Sequence, residues 1–211
     1  MIVFADRTDA GRQLAEKLAE NGTWESAVVL GIPRGGVVVA AEVARALRAP
    51  LDVVAAAKVG APGNPEFAVG AVTADGEVLV NAESGFSAAE VRALAGPALT
   101  KVKRSLELFR AGRPSLSLER KQAIVVDDGL ATGLTARAAA EYLRRGGATL
   151  IVLAVPVASA GAVRVVEPYV DKLVVIDVPL GFSAVGQFYG RFGQTEDSEV
   201  AALLAEAAAR G

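Results

Sequence analysis

The stretch Ala123-Ile-Val-Val-Asp-Asp-Gly-Leu-Ala-Thr-Gly-Leu-Thr135 carries the reading of this chain. Residues 123–126 are a short, unbroken apolar run, the pattern of a strand buried on both faces. Two adjacent carboxylates, Asp127 and Asp128, end it, and small residues lead into a helix predicted over 135–145. A buried strand that stops in charge and resumes as a helix is one step of a parallel α/β sheet. If the strand ran on through the acid pair, the two side chains would point to opposite faces. They share a ligand only if the chain leaves the β period there, which Gly129 permits.

The same grammar extends in both directions. Upstream, a helix over 9–21 places Leu14 and Leu18 on one face and stops at Gly22. A strand over 27–30 and a helix over 36–48, ended by Pro50, come next. A strand over 51–57 then runs into Lys58, and residues 60–65 form a breaker-rich loop. Residues 67–72 and 77–80 flank Ala74-Asp75-Gly76 as a hairpin, and Ser87 caps a long helix reaching about Phe109. Downstream lie a strand over 150–155, a helix over 159–166, a strand over 173–178 and a terminal helix capped by Thr195. The expected fold is α/β, a parallel sheet flanked by helices, built as a single domain over residues 1–211.

Composition narrows the chemistry. The 211 residues contain no cysteine and no histidine. Disulfides, thiolate nucleophiles, Ser-His-Asp machinery and Cys- or His-ligated metals are therefore excluded. Acid–base and metal work falls to Asp, Glu, Lys, Tyr and backbone groups, an inventory suited to Mg²⁺, hydroxyls and phosphates. With 22 Lys and Arg against 24 Asp and Glu the net charge is −2, no footprint for nucleic acid. Asp6 and Arg7 argue against a signal peptide. The uncharged stretch 146–163 is broken by Pro156 and reads as a buried strand followed by a helix, so no membrane partner is expected. The expected setting is the cytoplasm. Arg in excess over Lys, with few Asn, Gln and Met, leans towards a thermophile composition.

Ligands of an open parallel sheet bind at the carboxyl ends of its strands. Two acceptor-only side chains there, Asp127 and Asp128, suit vicinal hydroxyls or a hydrated Mg²⁺. Ala131-Thr132-Gly133-Leu134-Thr135 adds backbone N–H groups, two hydroxyls and a helix N-terminus, which suits a phosphate. Carboxylates beside a phosphate cradle would repel a bare phosphate, and a sugar with hydroxyls at one end and phosphate at the other resolves the conflict. At the first strand end, Arg34 and the amides of Gly35 and Gly36 could hold a diphosphate. The spacing approaches an ATPase loop, but Val37 stands where that loop needs Lys. Lys58, at the next strand end, could neutralise a departing diphosphate.

The residues from Val125 to Thr135 resemble the ribose-5-phosphate motif of the type I phosphoribosyltransferases: an apolar strand, two acids, small residues, then Thr-Gly-x-Thr. Gly129 departs mildly from that pattern, in which Val, Ile or Leu is commoner. The resemblance implies that Asp127 and Asp128 hold the ribose hydroxyls and Ala131 to Thr135 the 5′-phosphate, with Gly129 also part of the ribose-5-phosphate site. It implies that Arg34, Gly35, Gly36 and Lys58 bind pyrophosphate, and that Mg²⁺ is the cofactor, held by the acid pair directly or through water. The donor would be phosphoribosyl pyrophosphate (PRPP) and the acceptor a small molecule with a reactive nitrogen, most simply a nucleobase. Hood elements would lie near 60–82 and 179–195, and the first would include a mobile lid. The aromatics Phe182, Phe188, Tyr189 and Phe192 either stack on the acceptor or form a small satellite core. Dimers are common among such relatives, so a homodimer is an expectation.

Two rivals remain. A regulatory protein on this fold would sense PRPP or a nucleotide without turnover. A phospho-receiver domain also joins an acid pair, a Thr and a Lys, but its acid pair follows the first strand and it needs a further acceptor Asp. A serine hydrolase is discarded, because Ser183 has no histidine to activate it.

Overall fold

The computed structural model describes residues 4–210, with all of their side chains except that of Glu66. Helix α1 (Arg7–Glu20) starts on an Asp6 cap whose carboxylate accepts from the Asp9 amide. It begins two residues before the predicted helix. Strand β1 (Ala27–Gly31), helix α2 (Gly35–Leu47) and strand β2 (Leu51–Val53) follow. The second half of the chain adds β6 (Gln122–Val126), α5 (Leu134–Arg145), β7 (Leu150–Val157), α6 (Ala160–Val166), β8 (Lys172–Asp177) and α7 (Asp197–Arg210).

The main sheet is parallel throughout, in the order β2-β1-β6-β7-β8. Its strands are apolar on both faces because both are covered. In β6, Ile124 and Val126 join a core with residues of α1, α2 and α7, while Ala123 and Val125 join one with α5 and α6. The period-2 alternation thus sorts side chains into two cores rather than into core and solvent.

Three predicted elements take a different form. The strand expected over 51–57 ends at Val53, where pairing with β1 stops. A new strand, β3 (Ala56–Ala61), then pairs antiparallel with β4 (Asn64–Thr73), and β4 pairs with β5 (Val78–Val80). Lys58 therefore lies in a separate three-stranded sheet, and the breaker-rich residues 60–65 form the bulged end of its first hairpin. An apolar run cannot announce which partner it pairs with, since the pairing is a long-range choice. Second, the helix expected from Ser87 to Phe109 is two helices, α3 (Ala88–Leu94) and α4 (Gly96–Arg110). Pro97, in the first turn of α4, lacks the N–H and the room to continue α3, so that signal was present in the sequence. Third, the strand expected over 150–155 runs through Pro156 to Val157, so only Ala158 and Ser159 separate it from α6.

The small sheet packs on α3 and α4 through Val59, Val69, Val72 and Val91, and on α5 through Ala71, Leu79, Leu134 and Ala138. Arg145 of α5 grips the β4–β5 turn, with Nη2 2.8 Å from Asp75 Oδ2. No described helix is long and apolar enough to cross a membrane.

Candidate active site

β6 ends at Val126, so Asp127 and Asp128 leave the β period as the shared-ligand argument requires. The Asp128 amide donates to Asp127 Oδ1 at 2.8 Å, turning the first carboxylate back over its neighbour. Asp128 Oδ2 accepts from Arg7 Nε at 2.7 Å, and Tyr189 donates its hydroxyl proton to the Asp128 carbonyl at 2.6 Å. Arg7 Nη1 also donates to the Gly193 carbonyl at 2.7 Å, and its guanidinium lies 3.9 Å from the Phe192 ring centre.

Burial pushes the Asp127 carboxyl well above the ordinary carboxylate range, and the charge of Asp128 beside it adds to the shift. Burial raises Asp128 as well, against the opposing pull of Arg7. Even with Arg7 on Asp128, the pair therefore resists carrying two charges until a further cationic or hydrogen-bonding partner arrives.

The Arg34-Gly35-Gly36 turn lies directly against these acids. A Cβ on Gly35 would fall 2.0 Å from Asp128 Oδ2, and one on Gly36 would fall 2.8 Å from Asp127 Cα. Both glycines are there for close approach, in addition to the amides expected of them. A cleft of about 400 Å³ joins Arg34, Gly35, Asp127, Asp128 and Thr135, with Arg7 on its wall. A second cleft of about 660 Å³ shares Pro33, Arg34 and Ala56 with the first and holds Lys58. Lys58 thus reaches the region from the small sheet rather than from the main one, and Arg34 lines both its cleft and that of the acid pair.

Past the acids, Leu130 bridges to Ala158, and the Ser159 hydroxyl donates to the Ala131 carbonyl at 2.8 Å, which pins the loop. Gly133 sits at φ +78°, a Cβ there meeting α6 within 3.0 Å. α5 starts behind it with no side-chain cap. Among the described residues, no protein oxygen accepts from the amides of Ala131, Thr132, Gly133, Leu134 or Thr135. The Leu134 side chain is committed to the core with the small sheet, so only its backbone faces this role.

The four aromatics divide. Phe188 and Tyr189 are 3% and 4% exposed and form a core with Phe4, Ala10 and Val157, against which Phe182 also packs. Phe182 stacks on Phe188 at 5.6 Å between ring centres. Phe192, 38% exposed, lines the cleft beneath Arg7. The satellite core thus claims Phe188 and Tyr189, and Phe192 is the aromatic left on the cleft wall. Thr195 lines that cleft too; α7 starts two residues beyond it.

Sequence reasoning missed Arg7, Gln194 and Thr195 on the cleft wall, and Lys101 and Arg104 of α4 on the second cleft. Arg7 lies 121 positions from Asp128, and no local pattern marks it.

Known proteins resemble this chain in sequence and in fold. Over 208 residues the chain is 45% identical to a Mycobacterium tuberculosis protein provisionally named a phosphoribosyl transferase. The match covers 97% of this chain and 47% of that protein, so the chain spans about half the length of the curated relatives it matches. TT1426 of Thermus thermophilus is 42% identical, with a TM-score of 0.84 over 97% of this chain and 99% of that one. AQ2163 of Aquifex aeolicus, 13% identical, has a TM-score of 0.51 over 82% of this chain and 73% of that one, a likeness of fold. Residues 5–188, which include the acid pair, the glycine turn and the α5 cradle, match the model of the phosphoribosyl transferase domain, and the chain belongs to that family.

Proposed function

We propose that the chain transfers phosphoribose from PRPP to a nitrogen acceptor, most simply a nucleobase, with release of diphosphate. One observation carries the reading: an acid pair seated against an Arg-Gly-Gly turn, one loop away from an uncapped helix N-terminus. Those three features suit the vicinal hydroxyls, the diphosphate and the 5′-phosphate of one donor molecule.

In this reading the amides of Ala131 to Thr135, with the Thr132 and Thr135 hydroxyls, hold the 5′-phosphate. Asp127 and Asp128 accept from the ribose hydroxyls, and Arg34, Gly35 and Gly36 hold the diphosphate, with Lys58 adding charge from the small sheet. The C1–O bond to diphosphate breaks, and its electron pair leaves on oxygen. The acceptor nitrogen supplies the pair for the new C1–N bond and gives up its proton to the departing diphosphate or to water. Positive charge grows at C1 during this exchange and negative charge on the leaving group. The acids and the cations are placed to favour each, which is electrostatic catalysis without a protein nucleophile. Phe192, with the Arg7 guanidinium over its ring, forms an apolar wall beside the place for the acceptor. The small sheet and segment 179–195 act as the hood and limit water at C1.

The donor set fits Mg²⁺ of the water-rich kind. Among the described residues no three carboxylates converge as a metal cage, and Asp127 and Asp128 are the two that would hold the ion, directly or through water. When bound, it supplies charge neutralisation at the diphosphate.

A sensing role without turnover draws on a different observation: Arg7 already pairs with Asp128 Oδ2, so part of that acid's charge is neutralised before a donor arrives. Calorimetric titration of PRPP with Mg²⁺ into the protein and into Asp127→Asn/Asp128→Asn tests the donor site. Micromolar binding that collapses in the variant is expected, and its persistence there would refute the assignment. Diphosphate release with a panel of bases then separates transferase from sensor.

A further inference from the structure

The second cleft is far more basic than the donor reading needs. Arg34 and Lys58 face it, and so do Lys101 and Arg104 of α4, while among the described residues Asp197 at the start of α7 is its one lining acid. Among the described residues Arg34, Lys101 and Arg104 outnumber Asp197 in this cleft, in a chain whose net charge is −2. Ala98, Lys101, Val102, Ser105 and Phe109 follow one helical stripe, so α4 presents a continuous face to this space. Among the described residues neither Lys101 nor Arg104 forms an ion pair, and Asp197 reaches only Arg34, at 3.6 Å. Like charges brought together repel, and the arrangement becomes favourable when a polyanion enters.

We propose that this cleft binds a linear polyphosphate chain longer than diphosphate, with Lys101 and Arg104 holding the phosphates that lie beyond the reach of the Arg34 turn. The inference goes beyond the transferase reading and does not depend on turnover. The chain is either free inorganic polyphosphate or the tail of a nucleoside triphosphate, which presents the same phosphates. The accessible apolar part of the lining, Ala98 and Leu108, gives a nucleoside somewhere to lie. Because both clefts share Arg34, occupancy by a triphosphate chain would compete with PRPP for that guanidinium and for its contact with Asp197.

Calorimetry with inorganic tripolyphosphate and with pyrophosphate, metal-free and at low salt, tests this. The protein is expected to bind tripolyphosphate about tenfold more tightly than pyrophosphate. Lys101→Ala/Arg104→Ala, at two exposed helix positions, should erase that advantage while leaving pyrophosphate binding within about twofold. Asp197→Asn should shift tripolyphosphate affinity the opposite way, since it removes the competing acid. Equal affinity for the two anions, or an advantage that survives in the α4 variant, would overturn the proposal. A parallel titration with ATP identifies the source. Loss of ATP binding in the α4 variant assigns the tail of a nucleotide, and tripolyphosphate binding without ATP binding assigns the free chain. The acid-pair variant leaves this cleft intact, so failure of the donor site and failure of this one are read separately.

Discussion

Asp127 shows how a buried carboxylate, the residue proposed to hold the ribose, works against the fold that encloses it. Burial and the neighbouring carboxylate raise its pKa, so the folded protein keeps a proton there at pH values where the unfolded chain, near its ordinary value of 3.8, has released it. Stability that is full below that value is lost as pH rises through the shifted one. Asp127→Asn removes this cost, because an amide needs no ionisation. The expected outcome is a higher melting temperature at neutral pH and a flatter stability curve from about pH 4 upward, together with lost PRPP binding. Thermal unfolding of the ligand-free protein across pH checks it, and an unchanged or lower melting temperature at neutral pH would count against the account. Asp128 differs, since Arg7 offsets part of its burial and fixes its position.

Among the elements, β2 and α4 are joined by an interaction the sequence did not advertise. Asp52, buried in a three-residue strand, accepts from Arg110 Nε and Nη2 at 3.0 and 3.1 Å and from the Leu116 amide at 3.1 Å. It ties the sheet edge to the end of α4 and to the chain beyond it. Removing one partner of such a buried pair strands the other, so Asp52→Ala is expected to cost about 3 kcal/mol in urea unfolding. A loss under about 1 kcal/mol would mean that water takes over the role of Asp52. The sequence showed a lone acid within an apolar run, but its partner lies 58 positions away. The Arg145 contact to Asp75 is the same kind of link, between α5 and the small sheet, at a more exposed site.

Over the whole molecule, the site draws on the start of α1, the β1–α2 turn, the β6–α5 loop and segment 189–195, so a donor bridging them should couple to global unfolding. PRPP with Mg²⁺ at about a hundred times its dissociation constant should stabilise the protein by about 2.7 kcal/mol. For a chain of this size that is a rise of about 5–10 °C in melting temperature. The Asp127→Asn/Asp128→Asn variant should show none. A full shift in the variant would place donor binding elsewhere.

The features that could be read directly from the chain are those confined to a few consecutive residues. Val125 to Thr135 holds a strand end, two acids and an uncapped helix N-terminus within one turn, and Arg34-Gly35-Gly36 holds its guanidinium and amides within another; backbone geometry places such groups together whatever lies around them. The strand–helix alternation was legible for the same reason, because burial on two faces leaves its mark on each short apolar run. Pairing was not. Whether residues 56–61 extend the main sheet or start a second one depends on β4, and that changed the approach of Lys58 to the site. Arg7 on Asp128, Phe192 under Arg7, the withdrawal of Phe188 and Tyr189 into a core, and the meeting of Lys101 and Arg104 with Arg34 all depend on how distant segments pack. Such neighbours are selected by the burial and charge balance of the assembled fold, and a local pattern carries no record of them.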